Sequence, residues 1–300
     1  MTVDEGDWLA RRFEENRGHL RGVAYRMLGS LSEAEDAVQE AWLRFSRADT
    51  SGVENLGGWL TTVVARVSLD MLRARNSRRE EALDTDVAES IGSRTDRIDP
   101  EQEALLADSV GLALLVVLET LAPAVRLAFV LHDLFAMPFD DIAPIVGRSA
   151  TAARQLASRA RRRVHGAATA PSADLARQRK VVETFLAAAR AGDLEGLLTV
   201  LDPDVERRLD DVAAASGAPR LLRGAQAVAK GALAGSQRAQ PAPVALALAL
   251  VDGAVGVVVA PRGQLTSVIL FKIRHGRIVL MDVIADPARL SQLRLGVLEG

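Results

Sequence analysis

Apolar residues recur at helical spacing through most of this chain and at strand spacing only near its end. A helix with one buried face repeats its apolar positions every three to four residues. That period predicts helices over about Trp8–Met27, Glu33–Phe45, Trp59–Arg75, Glu101–Thr120 and Ala124–Phe135. Gly29 and Pro123 lie between predicted helices, where such residues commonly end or begin one.

From Asp174 onward the pattern changes. Amphipathic helices are predicted over Asp174–Ala191, Asp193–Leu201 and Gly224–Leu233. Apolar runs then flank two tight turns, Asp252-Gly253 and His275-Gly276, which predicts two hairpins. The tail is therefore expected to be an α+β domain, with its helices first and a curved antiparallel sheet after them.

The stretch Phe139–Arg163 predicts a helix-turn-helix. Gly147 tolerates a left-handed C-terminal cap, and Ser149 can cap the helix that follows. One face of that helix is an apolar stripe of Ala153, Leu156, Ala157, Ala160 and Val164. The candidate DNA contacts lie on its other face and at its ends, and they are Arg148, Ser149, Thr151, Arg154, Gln155, Ser158, Arg159 and Arg162.

This second helix carries an uneven charge. Between Arg148 and Arg163 there are six arginines and no acidic residue. In a helix-turn-helix the second helix enters the major groove, where Arg and Gln can contact base edges and further arginines hold phosphates. The alternative is an ordinary surface helix with a solvated arginine face.

Two earlier helices carry polar faces of different character. Ser32 is predicted to cap the second helix, and Glu35 to close a capping box with it. The outer face of this helix is acidic, with Glu33, Asp36, Gln39 and Glu40. The third helix presents Thr62, Arg66, Asp70 and Arg73 opposite its apolar face. An ordinary structural role would explain both faces equally well. Acidic residues near the start of a helix and basic residues near its end interact favourably with the helix dipole.

Composition narrows the classes of function. The chain has 300 residues, no cysteine and four histidines, which excludes disulfides, a thiol nucleophile and cysteine-bound zinc. We expect no metal and no cofactor. The net charge of -2 conceals separate clusters of arginine and of acid. The first twelve residues lack an apolar segment, so we expect no signal peptide, no membrane anchor and a cytoplasmic protein.

Shifts in composition divide the chain into domains. Residues 80–100 are rich in acids and turn-forming residues, and residues 166–173 are mostly small, so both are predicted linkers. They separate an all-α domain at 1–79, a helix-turn-helix domain at 101–165 and the α+β domain at 174–300. The predicted fold class is thus a multidomain chain with two helical domains and one α+β domain.

Several motifs together resemble a known family. They are Ala34-Glu35-Asp36-Ala37-Val38-Gln39-Glu40-Ala41-Trp42-Leu43, Gly58-Trp59-Leu60-Thr61-Thr62-Val63-Val64-Ala65-Arg66 and Ala153-Arg154-Gln155-Leu156-Ala157-Ser158-Arg159-Ala160-Arg161. In this order and spacing they resemble a bacterial RNA polymerase sigma factor of the extracytoplasmic-function class. The tail resembles the SnoaL-like cone that a subgroup of these factors carries as an extension.

The resemblance implies a role for each surface. Glu35, Asp36, Gln39 and Glu40 match the surface that binds the coiled coil of the clamp of core RNA polymerase. Thr61, Thr62, Arg66, Asp70 and Arg73 match the helix that meets the minus-ten promoter element. The preceding loop, about Asn55–Gly57, would hold a base flipped out of the opened strand. Residues Arg148–Arg162 match the helix that reads the minus-thirty-five element.

The chain also departs from that subgroup. Its linker contains Ala82-Leu83-Asp84-Thr85-Asp86-Val87 where a Trp-Leu-Pro-Glu-Pro signature is usual. Residues 210–219 replace a glycine-rich motif containing lysine, and Ala285–Leu290 replaces a terminal Asn-Pro-Asp-Lys type motif. These differences concern the regulatory contacts of the extension.

Two other classes of protein stay open at this stage. A SnoaL-like enzyme fused to a helix-turn-helix would use an acid and a base in an apolar cone, with Asp282 and His275 as candidates. Both residues also suit structural roles, so we expect no enzyme. A ligand-sensing DNA-binding regulator would bind an unknown small molecule in the cone. Such a regulator would need neither the acidic face of the second helix nor a third helix that opens the DNA strands at the minus-ten element.

Overall fold

The computed structural model describes residues 3–48, 52–84, 111–166, 172–215, 217–238 and 246–298. The chain forms two compact units, Met1–Val110 with Leu118–Arg161 and Gly111–Val117 with Arg162–Gly300. Within the described ranges, no helix is long and apolar enough to cross a membrane.

The first unit begins with three helices that pack on one another. They are α1 (Val3–Leu28), α2 (Leu31–Phe45) and α3 (Leu56–Asp84). Leu20, Tyr25, Ala34, Phe45 and Leu60 are buried among the core residues of this unit. Phe45 also contacts the rings of Trp42 and Trp59, with centroids 6.1 and 5.9 Å away. The three helices predicted here are confirmed.

Two details of these helices differ from the prediction. The cap of α2 is Ser30, whose hydroxyl accepts a hydrogen bond from the Glu33 N–H, and Ser32 lies inside the helix. Gly29, at φ +77°, ends α1 so abruptly that the next helix begins two residues later. The third helix continues past Arg75 to Asp84, because Ala, Arg and Glu favour helix even where the apolar period has ended. The rest of the predicted linker, residues 85–100, lies outside the described residues.

Four further described helices follow along the chain, with a turn of π-helix among them, and most of the first of these helices belongs to the second unit. They are α4 (Leu112–Glu119), α5 (Pro123–Phe129), the π-helical turn Val130–Leu134, α6 (Phe139–Val146) and α7 (Ala150–Val164). The predicted helix from Ala124 in fact begins at Pro123, since proline suits the first helical position. Of the helix predicted from Glu101, residues 101–110 lie outside the described part.

The helix-turn-helix is confirmed in its local details. Gly147 takes the left-handed conformation, with φ +66°, and its N–H bonds to the Ala143 carbonyl. Ser149 Oγ accepts a hydrogen bond of 3.2 Å from the Ala152 N–H and so caps α7. Ala153, Ala157 and Ala160 are completely buried, which is the apolar stripe that the spacing predicted.

The second unit combines helices with one seven-stranded sheet. Its helices are α8 (Ser172–Ala191), α9 (Leu194–Val200), α10 (Asp211–Ala214), α11 (Ala225–Arg238) and α12 (Pro287–Gln292). Its strands are β1 (Leu201–Leu209), β2 (Leu221–Arg223), β3 (Leu246–Val251), β4 (Ala254–Val259), β5 (Ser267–Arg274), β6 (Arg277–Ile284) and β7 (Leu295–Val297). They lie in the order β2-β1-β6-β5-β4-β3-β7. Phe185 of α8 meets Phe271 of β5 edge to face in the core.

The α+β class and both hairpins are confirmed, but the sheet is mixed. Asp252-Gly253 and His275-Gly276 all have positive φ, as a two-residue turn of this kind requires. The expectation of an antiparallel sheet after the helices was wrong, because β1 lies before α11 and pairs parallel with β6. This strand was missed because Pro203 and several charges interrupt its apolar pattern, and its register shifts between Leu201 and Glu206.

Candidate nucleic-acid interface

The outer face of α7 is polar and open to solvent. The exposed side chains include all the predicted contacts, which are Arg148, Ser149, Thr151, Arg154, Gln155, Ser158, Arg159 and Arg162. Ser149 is also the cap of the helix, so its hydroxyl is partly used by the fold. Arg161 was never a predicted contact, and its Nε donates to Asp133 Oδ1 at 2.5 Å. Arg161 is thus paired with Asp133 of the π-helical turn, whereas the predicted arginines are exposed.

Arg154 differs from the other predicted contacts in its surroundings. Its guanidinium carbon lies 5.2 Å from the ring centroid of Phe139, the first residue of α6. The Phe139 ring stacks on His132 with centroids 3.8 Å apart. The ring thus gives this arginine a fixed neighbour while leaving it exposed.

The outer face of α3 brings three of its five predicted contacts to the surface. Arg66, Asp70 and Arg73 are exposed, and Asp70 pairs with Arg73 at 3.7 Å. The Thr62 hydroxyl donates to the Gly58 carbonyl at 3.0 Å. Thr61 is only 4% exposed, and its hydroxyl donates to the Gly57 carbonyl at 2.7 Å. The two threonines therefore fix the first turn of α3.

α3 already includes Leu56 and Gly57 of the predicted base-binding loop, and its first two glycines lie against amide side chains. Asn55 Oδ1 accepts a hydrogen bond of 2.9 Å from the Gly58 N–H, so this side chain folds over the start of the helix. A Cβ at Gly58 would come within 2.8 Å of Asn55 Nδ2, and one at Gly57 within 3.1 Å of Asn16 Oδ1. Substituting either glycine would push one of these amides away.

The acidic face of α2 contains both paired and unpaired groups. Glu35 forms ion pairs with Arg17 at 3.2 Å and with Arg21 at 3.4 Å, so two arginines of α1 neutralise its charge. Glu40 pairs with Arg44 within α2 at 2.9 Å. Asp36 and Gln39 are exposed. A cleft of about 390 Å³ lies beside this face and is lined by Ala10, Phe13, Glu14, Arg17, Glu35, Val38, Gln39 and Trp42.

Sequence reasoning missed Arg126, which joins α5 to α1 within the first unit. Arg126 is 3% exposed, and its Nη1 donates a hydrogen bond of 2.6 Å to the carbonyl of Met27, in the last turn of α1. Burial lowers the pKa of Arg126 from its usual value to about 10. An arginine in a short amphipathic helix gives no sequence signal that it will be buried.

A second contact joins the same parts of the chain. Phe135, just after the π-helical turn, lies edge to face against His19 with centroids 5.1 Å apart and under the Arg26 guanidinium at 5.1 Å. Burial, and then the charge of Arg26, lowers the pKa of His19. His19 Nε2 also lies 3.1 Å from the hydroxyl of Thr61, so this contact reaches the start of α3.

The candidate acid and base of the C-terminal domain lie apart. His275 occupies the exposed turn between β5 and β6 with φ +50°, and Asp282 of β6 pairs with Arg289 at 3.4 Å. Among the described residues, no three His, Cys, Asp or Glu side chains are arranged to hold a metal ion.

Asp210 connects the two segments that depart from the family pattern. Its carboxylate accepts hydrogen bonds from the backbone N–H groups of Ala213, Ala285 and Asp286, and Arg289 lies 3.6 Å away. Burial acts to raise the pKa of Asp210, but these hydrogen bonds hold it below its usual value. The loop after β1 is thereby tied to the start of α12.

Two family models match the helical part of this chain. The family model of sigma-70 region 2 matches residues 12–78, and that of sigma-70 region 4 matches residues 111–164. The chain is 39% identical to the ECF RNA polymerase sigma factor SigJ of Mycobacterium tuberculosis, over 93% of this chain and 92% of that protein. It is 35% identical to the probable ECF RNA polymerase sigma factor SigI of the same organism, over 97% and 98%.

Solved structures also match this chain, among them the following two. The crystal structure of Mycobacterium tuberculosis SigJ matches 94% of this chain and 98% of its own, with 34% identity and a TM-score of 0.45. An NTF2-like protein of unknown function from Burkholderia pseudomallei matches 39% of this chain and 97% of its own, with 21% identity and a TM-score of 0.28. Identity of 39% across nine-tenths of both sequences is what decides the family. The chain belongs to the extracytoplasmic-function RNA polymerase sigma factors, which recognise promoters on behalf of RNA polymerase.

Proposed function

We propose that this sigma factor reads the minus-thirty-five element with the outer face of α7. The observation that carries the proposal is that every predicted contact on this face is exposed while the alanine stripe on the other face is buried. Arg154 and Gln155 lie in the first half of the helix, where a recognition helix meets base edges. Arg159 and Arg162 follow nearer its C-terminal end, where they suit phosphates.

The minus-ten element is assigned to α3 and to the segment before it. Exposed Arg66, Asp70 and Arg73 form one surface that single-stranded or duplex DNA can approach. Thr61 and Thr62 support that surface through their hydrogen bonds to Gly57 and Gly58. The side chain of Asn55 is exposed and is held by Gly58, which suits a loop that receives an extruded base.

The acidic face of α2 is assigned to binding core RNA polymerase, and its partner there is the coiled coil of the polymerase clamp. Asp36 and Gln39 are the exposed members of the predicted set, so we expect them to make the direct contacts. Glu35 is held by Arg17 and Arg21, and its role is to fix the position of α1 beside that face. Such charged faces govern the rate and specificity of association more than its strength.

The C-terminal domain is proposed to modulate transcription without chemistry of its own, and the protein to act in the cytoplasm. The pairing of Asp282 with Arg289, and the position of His275 in a hairpin turn, support structural roles for both residues. Described residues give no support to a small ligand in the cone, and we do not assign one.

The experiment is run-off transcription with purified core RNA polymerase and genomic DNA. We expect the full chain to start transcription at defined promoters. Asp36→Arg should prevent this, and the matched variant Asp174→Arg, on α8, should not. A chain that binds duplex promoters but never starts transcription would instead favour the ligand-sensing regulator.

A further inference from the structure

Arg154 is the one arginine of α7, within the part of the chain that the structure describes, that rests on an aromatic ring. Its guanidinium lies over Phe139 at 5.2 Å, and its side chain is exposed. A long, flexible arginine loses rotamer freedom when it binds DNA, and a contact made beforehand reduces that loss. Phe139 can therefore influence base reading although it sits on another helix.

Phe139 is itself fixed by the unusual turn before it. The π-helical turn Val130–Leu134 is tied to the connection that follows, because Met137 N–H donates to the Leu131 carbonyl at 2.9 Å. His132 Nδ1 lies 3.0 Å from the Met137 carbonyl, so this nitrogen must carry a proton and donate it. Pro138 then restricts the chain at φ −61° directly before Phe139.

The stacking partner completes this support. The His132 and Phe139 rings lie 3.8 Å apart and nearly parallel, at 28°. One set of contacts thus runs from the π-helical turn through His132 and Phe139 to Arg154. Ala136, at φ +53°, lies within the same connection, so the backbone adopts a rare conformation where it sets the direction of α6.

A guanidinium group can use its face and its edge at the same time. Its flat face packs on an aromatic ring, while its N–H groups lie in the plane and point outward. The in-plane N–H groups match the O6 and N7 acceptors of guanine in the major groove. Contact with Phe139 therefore restricts Arg154 without occupying the atoms that would read a base.

We propose that Phe139 is a positioning residue that holds Arg154 toward one guanine of the upstream promoter element. This inference rests on the function proposed above, in which α7 reads that element. His132 supports Phe139 by stacking, and the π-helical turn supports His132. Arg148 and Arg159 serve as phosphate or secondary contacts, since neither is seated on a ring in the described structure.

The test uses the full chain with core polymerase on promoters in which each base pair of the upstream element is replaced in turn. Arg154→Ala should abolish discrimination at one base pair. Phe139→Leu keeps an apolar side chain but removes the ring, and it should lower discrimination at that same base pair about two- to fivefold. Phe139→Tyr keeps the ring and should keep discrimination at that base pair at the wild-type level.

Two further measurements separate positioning from a general loss of structure. Affinity for non-specific duplex DNA, and its dependence on salt, should be the same for wild type and all Phe139 variants, because no charge changes. In the Arg154→Ala background, Phe139→Leu should cause no additional loss at the selected base pair. Phe139→Met, with an unbranched apolar chain, repeats the test if the leucine variant unfolds.

The outcomes distinguish this inference from the proposed function. If Arg154→Ala changes no base preference, α7 does not read DNA through this residue. The proposed function and the positioning role of Phe139 are then both wrong at this position. If Arg154→Ala acts at one base pair but Phe139→Leu leaves that preference intact, or weakens all sequences equally, only the positioning role is overturned.

Discussion

Arg126 offers a test of how the two promoter-reading regions are held together in the first unit. Its guanidinium joins α5, in region 4, to the last turn of α1, in region 2. We predict that Arg126→Ala loosens this contact substantially and that Arg126→Met does so far less. The difference follows from three effects of comparable size.

Burying the charge opposes the contact, and the hydrogen bond favours it. The fall in the pKa of Arg126 from its usual value to about 10 corresponds to roughly 3 kcal/mol. A hydrogen bond from a charged donor returns about 1.5–3 kcal/mol. These two contributions nearly cancel, so Arg126→Met, which removes both, should change stability by no more than about 1 kcal/mol. Arg126→Ala also removes two buried methylenes, worth about 1.5–2 kcal/mol in all.

Hydrogen exchange at the end of α1 measures the contact directly. The Gly29 N–H donates to the Tyr25 carbonyl at 2.8 Å and reports whether the last turn of α1 is intact. We expect faster exchange there in Arg126→Ala than in Arg126→Met, and unchanged exchange in β5 as the control. Equal acceleration in both variants would refute the cancellation of charge burial by the hydrogen bond.

The same variants have an expected effect on transcription. In the proposed function, α7 and α3 bind elements about 35 and about 10 base pairs upstream, and the ~25 base pairs between them span about 85 Å of duplex. In contrast α3 is about 44 Å long, and α6 of the helix-turn-helix packs against it. If α3 and α7 bind the two elements as proposed, we expect the contact made by Arg126 to oppose their simultaneous binding. Arg126→Ala should then reduce the concentration of protein needed for run-off transcription. A higher requirement, with helical content unchanged, would contradict this.

Three further predictions address the other surfaces. Asp36→Arg with Glu40→Arg should abolish binding to core polymerase at unchanged helical content, since both groups are solvent-accessible; undiminished co-purification would exclude this face. Arg162→Ala should weaken binding to all duplexes and reduce the salt slope by about one, and a sequence-selective loss would show that it reads a base. Asp210→Ala should free the start of α12 and alter run-off transcription, and removal of residues 285–300 should do the same. Asp282→Asn leaves the three backbone hydrogen bonds of Asp210 intact and should change little. Unchanged transcription in the first two variants would show that the C-terminal segment does not modulate it.

Local chemistry was enough to predict much of this protein. Gly147, Ser149 and the turn Asp252-Gly253 could be assigned because each acts through neighbours a few residues away. The buried alanine stripe of α7 followed from spacing alone. Charge and motif order then indicated the family, which the relatives bear out.

Tertiary structure decided what depends on distant partners. Ser30 and Ser32 were both chemically suitable caps, and the end of α1 at Leu28 selected Ser30. The parallel pairing of β1 with β6 joins segments about seventy-five residues apart, which no local pattern specifies. Arg126 looked like any surface arginine until α5 was packed against the carbonyls of α1. A side chain's burial and partners depend on how the elements pack, and apolar spacing within one element cannot determine them.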